Sequence, residues 1–123
     1  MGSDDILIIG AGVAGINCAL NAAGYGAKVY LVDDTPSIGG IMARLDKTFP
    51  TNDCSICIEA PQMYEVDNHP NIEILTNTDI RKVKRSDGGF KARLLRRARY
   101  IDEEKCTGCG ACVEACPVSL PHE

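Results

Sequence analysis

The stretch Ile6-Leu7-Ile8-Ile9-Gly10-Ala11-Gly12-Val13-Ala14-Gly15 decides the fold. Its aliphatic run, stopped by glycine, predicts a buried parallel strand over Asp5–Ile9. The spacing then changes. Ile16, Leu20 and Ala23 recur at helical intervals, which predicts a helix over Val13–Ala23. Ala27–Val32 reads as a second buried strand. The three segments make a β-α-β unit of about 30 residues, for which the crossover is right-handed. Each glycine has its own mechanical part. Gly10 permits the tight turn, Gly12 lets a pyrophosphate approach the backbone, and Gly15 lets the helix sit close to the strand. Free amides at the helix start, aided by the helix dipole, then stabilise phosphate charge. Asp33 closes the second strand, where a carboxylate accepts hydrogen bonds from ribose hydroxyls, with Asp34 as the neighbouring alternative. No arginine stands beside these acids in the sequence, which argues against a 2′-phosphorylated cofactor. The competing interpretation is a glycine-rich turn that binds nothing.

Outward from this unit, Thr35–Gly40 is a loop with Pro36 and the pair Gly39-Gly40. Ile41–Lys47 reads as a short helix, and Pro50 makes Phe49–Asp53 irregular. Ser55–Asn68 reads as a helix with Ile58, Met63 and Val66 on its apolar face, its start blurred by Pro61. Asn71–Leu75 is a third strand. Ile80–Lys84 and Phe90–Leu95 form a hairpin around Asp87-Gly88-Gly89. After Tyr100 the chain becomes rich in Cys and Gly. The expected fold is therefore α/β: a Rossmann-like dinucleotide-binding unit with a β-hairpin over 1–100, then a ferredoxin-like iron–sulfur segment over 101–123. Met1–Ser3 are set aside as an expression remnant.

Seven cysteines among 123 residues are unusual. The count is odd and no signal peptide is visible, so a secreted disulfide scaffold is disfavoured. Metal or redox chemistry in a reducing, cytoplasmic setting fits better. Cys106-x-x-Cys109-x-x-Cys112-x-x-x-Cys116-Pro117 matches the bacterial ferredoxin run, and its thiolates are the soft ligands that a [4Fe-4S] cluster requires. Gly108 and Gly110 let the backbone wrap such a cluster. A structural zinc site normally uses two separated ligand pairs, not one continuous run. In two-cluster ferredoxins the fourth cysteine serves the other cluster. Cys116 therefore either closes a single cluster or pairs with a motif beyond this chain. Cys54-x-x-Cys57 leads into the helix at Ser55; it reads as a redox dithiol, as two ligands of a second cluster, or as two partly buried thiols. Cys18 reads as a small core residue, and His69 and His122 as surface residues. No hydrolase triad, kinase or metalloprotease pattern is present, so no catalytic residue is assigned.

The net charge of −4 is uneven. Asp79–Tyr100 carries nine Lys/Arg and two acids, leaving a balance of −11 elsewhere. The basic block lacks any RNA-stacking or recognition-helix signature, so a solvated face or a dock for an acidic partner is favoured over nucleic acid. No apolar run approaches the ~20 residues that span a membrane.

The run Gly39-Gly40-Ile41-Met42-Ala43-Arg44-Leu45-Asp46-Lys47-Thr48-Phe49-Pro50-Thr51-Asn52-Asp53-Cys54-Ser55-Ile56-Cys57, followed by His69-Pro70-Asn71-Ile72-Glu73, resembles the A subunit of heterodisulfide reductase. The ferredoxin run after a basic hairpin resembles that family's inserted cluster domain. Gly39-Gly40 after an acid also resembles the flavin pyrophosphate contact of flavoproteins with two dinucleotide-binding domains, which separates FAD from NAD. The resemblance implies an electron-transfer flavoprotein subunit with FAD and [4Fe-4S] clusters. It further implies B and C subunits, a hydrogenase or formate dehydrogenase donor, flavin-based electron bifurcation and a place in methanogenesis. Self-association is a further expectation. Family members continue well past the ferredoxin insertion. The expected identity is thus an N-terminal piece of the flavoprotein region with little autonomous turnover, and Gly10, Gly12, Gly15, Asp33, Gly39 and Gly40 carry the adenosine and pyrophosphate contacts. The alternatives are a non-catalytic docking module and a dithiol reductase using Cys54 and Cys57.

Overall fold

The computed structural model describes residues 5–119. In chain order these form β1 (Ile6–Ile9), α1 (Val13–Gly24), β2 (Val29–Val32), α2 (Ser55–Asn68), β3 (Ile72–Leu75), β4 (Thr78–Ser86), β5 (Gly89–Arg96) and the one-turn α3 (Ala111–Glu114). The first three strands are parallel, in the order β1-β2-β3. Ile9, Val32 and Leu75 lie in register, so the strands end together. Gly10 N–H to Val32 O (2.8 Å) and Asp33 N–H to Leu75 O (3.0 Å) carry the ladder one residue further. In open sheets of this kind a ligand sits outside these carboxyl ends.

Val29, Leu31 and Val32 of the central β2 are buried, as a parallel strand covered on both faces should be. β1 departs from expectation. Only Ile8 is buried there, and Ile9 remains 65% exposed, because β1 is an edge of this sheet. Ile16, Ala19 and Ala23 turn one face of α1 onto the sheet. Cys18 does not join them and is exposed, correcting the core assignment. At about 100° per residue it points away from the Ile16–Ala19–Ala23 stripe.

α2 begins and ends where the sequence places it, with Pro61 inside. Its buried stripe differs: Ser55, Glu59 and Val66 are buried, Met63 is half-buried, and Ile58 is 44% exposed. Asn17 donates to Gln62 Oε1 at 2.9 Å across the α1–α2 contact, so this interface is partly polar. The helix expected over Ile41–Lys47 shrinks to a 3₁₀ turn at Met42–Arg44, ended by the extended backbone of Leu45.

β4 and β5 form an antiparallel hairpin, longer than expected, closed at Asp87-Gly88. Its root is tied to the parallel layer by Thr78 N–H to Asp33 O (2.9 Å) and Asn77 N–H to Thr35 O (2.8 Å). His69 is half-buried, its Nδ1 accepting from Asn71 N–H at 3.2 Å; His122 lies outside the described residues. Among the described residues, no helix is long and apolar enough to cross a membrane.

Candidate functional site

The turn after β1 and the loop after β2 interlock. Gly39 N–H donates to Ala11 O at 2.7 Å, and Gly12 bridges Gly39. A Cβ on Gly15 would lie 1.8 Å from the Gly10 carbonyl oxygen, and one on Gly40 would lie 2.9 Å from Gly12 Cα. Gly40 also has φ +58. Side chains at 15 and 40 are therefore excluded by backbone, which brings the N-terminus of α1 and the Gly39-Gly40 loop into one surface. Gly12 caps α1 with no side chain, and its first turn holds no acid to compete for an anion. This cradle fits a dinucleotide pyrophosphate.

Asp33 stands beside the cradle, not apart from it. Its Oδ2 accepts from Ala11 N–H at 2.6 Å, and its Oδ1 accepts from the Thr35 amide (2.8 Å) and hydroxyl (2.5 Å). Burial pushes this carboxyl up. The Thr35 hydroxyl and the Ala11 and Thr35 amides outweigh it and leave Asp33 below the usual carboxylate value. Each oxygen retains acceptor capacity for a ribose hydroxyl.

A cleft of ≈690 Å³ opens at the strand ends and is lined by Gly10, Asp33 and Asp34 together with Thr78, Asp79, Arg81 and Arg97. Motif spacing does not place those last four here. Arg81 and Arg97 also correct the expectation that no arginine stands near Asp33. Both are committed to Asp79: Arg97 pairs with it in a two-point contact, and Arg81 reaches it at 3.3 Å. The Arg97 hydrogen bond, with the nearby positive charges, holds Asp79 below its usual value. The available clue was Asp79 itself, an acid at the head of a basic block.

The cysteine run follows a short linker. Arg99 donates to Pro36 O at 2.9 Å, hydrogen-bonds Thr76 Oγ1 and pairs with Glu103 at 2.7 Å. It thereby ties the linker to the loop after β2. A groove beside it is lined by Pro36, Asn77, Ile101 and Cys106. Cys106, Cys109, Cys112 and Cys116 are free, exposed thiols, the first two in the loop before α3, Cys112 within it and Cys116 just after it. No three His, Cys, Asp or Glu side chains among the described residues converge into a ready metal shell. The donor chemistry nevertheless fits an iron–sulfur cluster: four soft sulfurs at ferredoxin spacing on a segment whose Gly108 and Gly110 turn through positive φ. The Ala111 amide, then the Thr107 hydroxyl, hold Cys109 below its usual value, favouring the thiolate. Cys54 and Cys57 are joined to each other in a disulfide.

Comparison with known proteins matches two parts of the chain. Residues 5–54 match the family described as FAD dependent oxidoreductase, and residues 99–119 match the 4Fe-4S binding domain. These matches indicate FAD and a 4Fe-4S cluster as the cofactors. The chain is 53% identical, over 98% of its length, to the iron-sulfur A subunit of a CoB–CoM heterodisulfide reductase from Methanopyrus kandleri. It is 55% identical, over 91% of its length, to a protein of Archaeoglobus profundus named as similar to the heterodisulfide reductase A subunit. It spans only 18% and 16% of those relatives. Among solved structures it resembles the L-proline dehydrogenase of P. horikoshii, with a TM-score of 0.66 and 27% identity over 75% of this chain and 19% of that one. It shares its fold with the thioredoxin reductase of T. acidophilum, with a TM-score of 0.60 and 24% identity over 73% of this chain and 30% of that one. The chain, a glycine-lined turn joined to a four-cysteine segment, is thus similar over nearly its whole length to one part of heterodisulfide reductase A subunits.

Proposed function

We propose that this chain is the flavin-cradle and cluster-bearing segment of an electron-transfer subunit, passing electrons between FAD and a [4Fe-4S] cluster within a larger redox complex. One observation carries the reading: Arg99 links Pro36, in the loop that leads to the interlocked Gly39-Gly40 turn, to Glu103, in the linker that leads to the Cys106–Cys116 run. When bound, FAD supplies two-electron chemistry and the cluster one-electron chemistry. The residues of this chain position both. Gly10, Gly12, Gly15, Gly39 and Gly40 admit the pyrophosphate, Asp33 accepts from the ribose with Asp34 beside it, and Cys106, Cys109, Cys112 and Cys116 ligate iron. The chain divides at residue 100, with 1–100 for the flavin part and 101–123 for the cluster part.

The relatives' names supply the partner class. One, from Methanothermobacter marburgensis, is the A subunit of an H2:CoB–CoM heterodisulfide,ferredoxin reductase, and another, from Methanococcus maripaludis, carries H2/formate in its name. We extend this to a cytoplasmic assembly with other heterodisulfide reductase-type subunits and a hydrogenase or formate dehydrogenase donor, in which the basic hairpin meets acidic protein.

The test is an anaerobic cofactor inventory with two variants. The wild type is expected to hold FAD and about four irons per chain, with flavin absorbance bleaching in step with the cluster on reduction. Gly15→Ala should lose flavin while keeping iron. Cys109→Ser should lose iron while keeping flavin. A wild type without flavin, or a Cys109→Ser protein with full iron content, refutes the assignment.

A further inference from the structure

Cys54 and Cys57 lie outside both cofactor sites. They are bonded to each other with Cα atoms 5.2 Å apart, and both are exposed, while Ser55 between them is buried. The backbone carrying them is fixed. Thr48 N–H donates to Asp53 O at 2.9 Å, Lys47 bridges Cys54, and Ser55 N–H reaches Asp46 O. Cys54 is the N-cap of the fourteen-residue α2, and its Sγ accepts the Cys57 amide at 3.3 Å.

A structural staple is a poor account of this bond. Closing so short a loop removes the least entropy from the unfolded chain. The helix start is already anchored by the buried Ser55 and by its backbone bond to Asp46. A redox role agrees with every observation. Both sulfurs are open to an attacking thiolate, and the site remains built when the bond opens. A donated amide at a helix N-terminus favours sulfur that carries negative charge, which is the form released on reduction.

We propose that Cys54–Cys57 is a two-electron dithiol/disulfide couple that exchanges with dithiol compounds. A thiolate of the incoming dithiol attacks one sulfur. The Cys54–Cys57 bond breaks, a mixed disulfide forms, and the departing cysteine takes a proton. The second thiol of the reductant then displaces the remaining cysteine. The reductant leaves as its own disulfide, and the pair has gained two electrons and two protons. The exchange needs neither flavin nor iron and stands independently of the function proposed above.

The test uses the intact chain, equilibrated anaerobically in reduced and oxidised dithiothreitol, quenched in acid, alkylated and weighed. Two alkyl groups should appear together at Cys54 and Cys57. A tenfold change in the ratio of reduced to oxidised dithiothreitol should change the ratio of dithiol to disulfide tenfold, identically in both directions. Iron per chain should stay constant throughout, and also in the Cys54→Ser/Cys57→Ser variant. Of the single variants, Cys57→Ser, which keeps Cys54, should react with a chromogenic aryl disulfide several-fold faster than Cys54→Ser. A bond that resists reduction throughout, thiols that never oxidise, or iron lost with the double variant each overturns the proposal. The wild-type titration decides the matter even where a variant fails to fold.

Discussion

Glu59 takes a carboxyl group into the α2 packing surface, where neither of its oxygens has a hydrogen-bond partner. Burial pushes its pKa up from an ordinary value of 4.5. The sign of the consequence follows. Below pH 4.5 the acid is neutral in both folded and unfolded chains and costs nothing extra. Above it, the unfolded chain ionises first, so stability falls with pH until the folded pKa is reached. Glu59→Gln removes that slope. Urea midpoints between about pH 4 and 8 should decline for the wild type relative to the variant, and parallel curves would show that Glu59 has found a donor. Asp33 acts in the opposite window. Its lowered carboxyl adds stability that is present above the ordinary value of 3.8 and is lost as pH falls through its folded value.

At the scale of elements, the hairpin sets like charges face to face. Lys82 lies opposite Arg93, and Lys84 opposite Lys91, on one side; Val83 with Ala92 and Arg85 with Phe90 occupy the other. Directly opposed like charges destabilise a strand pair. Lys91→Glu should therefore strengthen the hairpin by about 0.2–1 kcal/mol. The gain should shrink with added salt, as read from thermal unfolding at low and high ionic strength. The hairpin was legible in the sequence because Asp87-Gly88-Gly89 separates two runs of strand-forming residues. So were α1, β2 and β3, where aliphatic periodicity and glycine punctuation agree. The packing face of α2 was not. Apolar pattern nominates Ile58, but the helix buries Ser55 and Glu59, which no hydropathy rule selects. The tight turn after β1 was readable from glycine spacing, whereas its interlock with the Gly39-Gly40 loop was not. The participation of Arg81 and Arg97 in the adjoining cleft was not, since it depends on where the hairpin root folds back.

Across the whole molecule, one side chain connects the sheet to the cysteine segment. The guanidinium of Arg99 reaches Pro36, Thr76 and Glu103, from the loop after β2 to the far side of the linker. Arg99→Met keeps the aliphatic stem and deletes all three contacts. Charge-assisted hydrogen bonds of this kind are worth enough to shift a local opening equilibrium by about tenfold. Limited trypsin digestion at Arg97 and Lys105 should accelerate by that factor, while flavin content stays at the wild-type level. Unchanged digestion would mean that the linker is held by backbone packing instead. The two backbone bonds at the hairpin root, Thr78 to Asp33 and Asn77 to Thr35, have a mechanical consequence. They make β4–β5 a lever whose fulcrum is the same three-residue turn that carries the Asp33 carboxylate. A body leaning on the far tip of the hairpin would apply torque at Asp33 without having to disturb the apolar interior first.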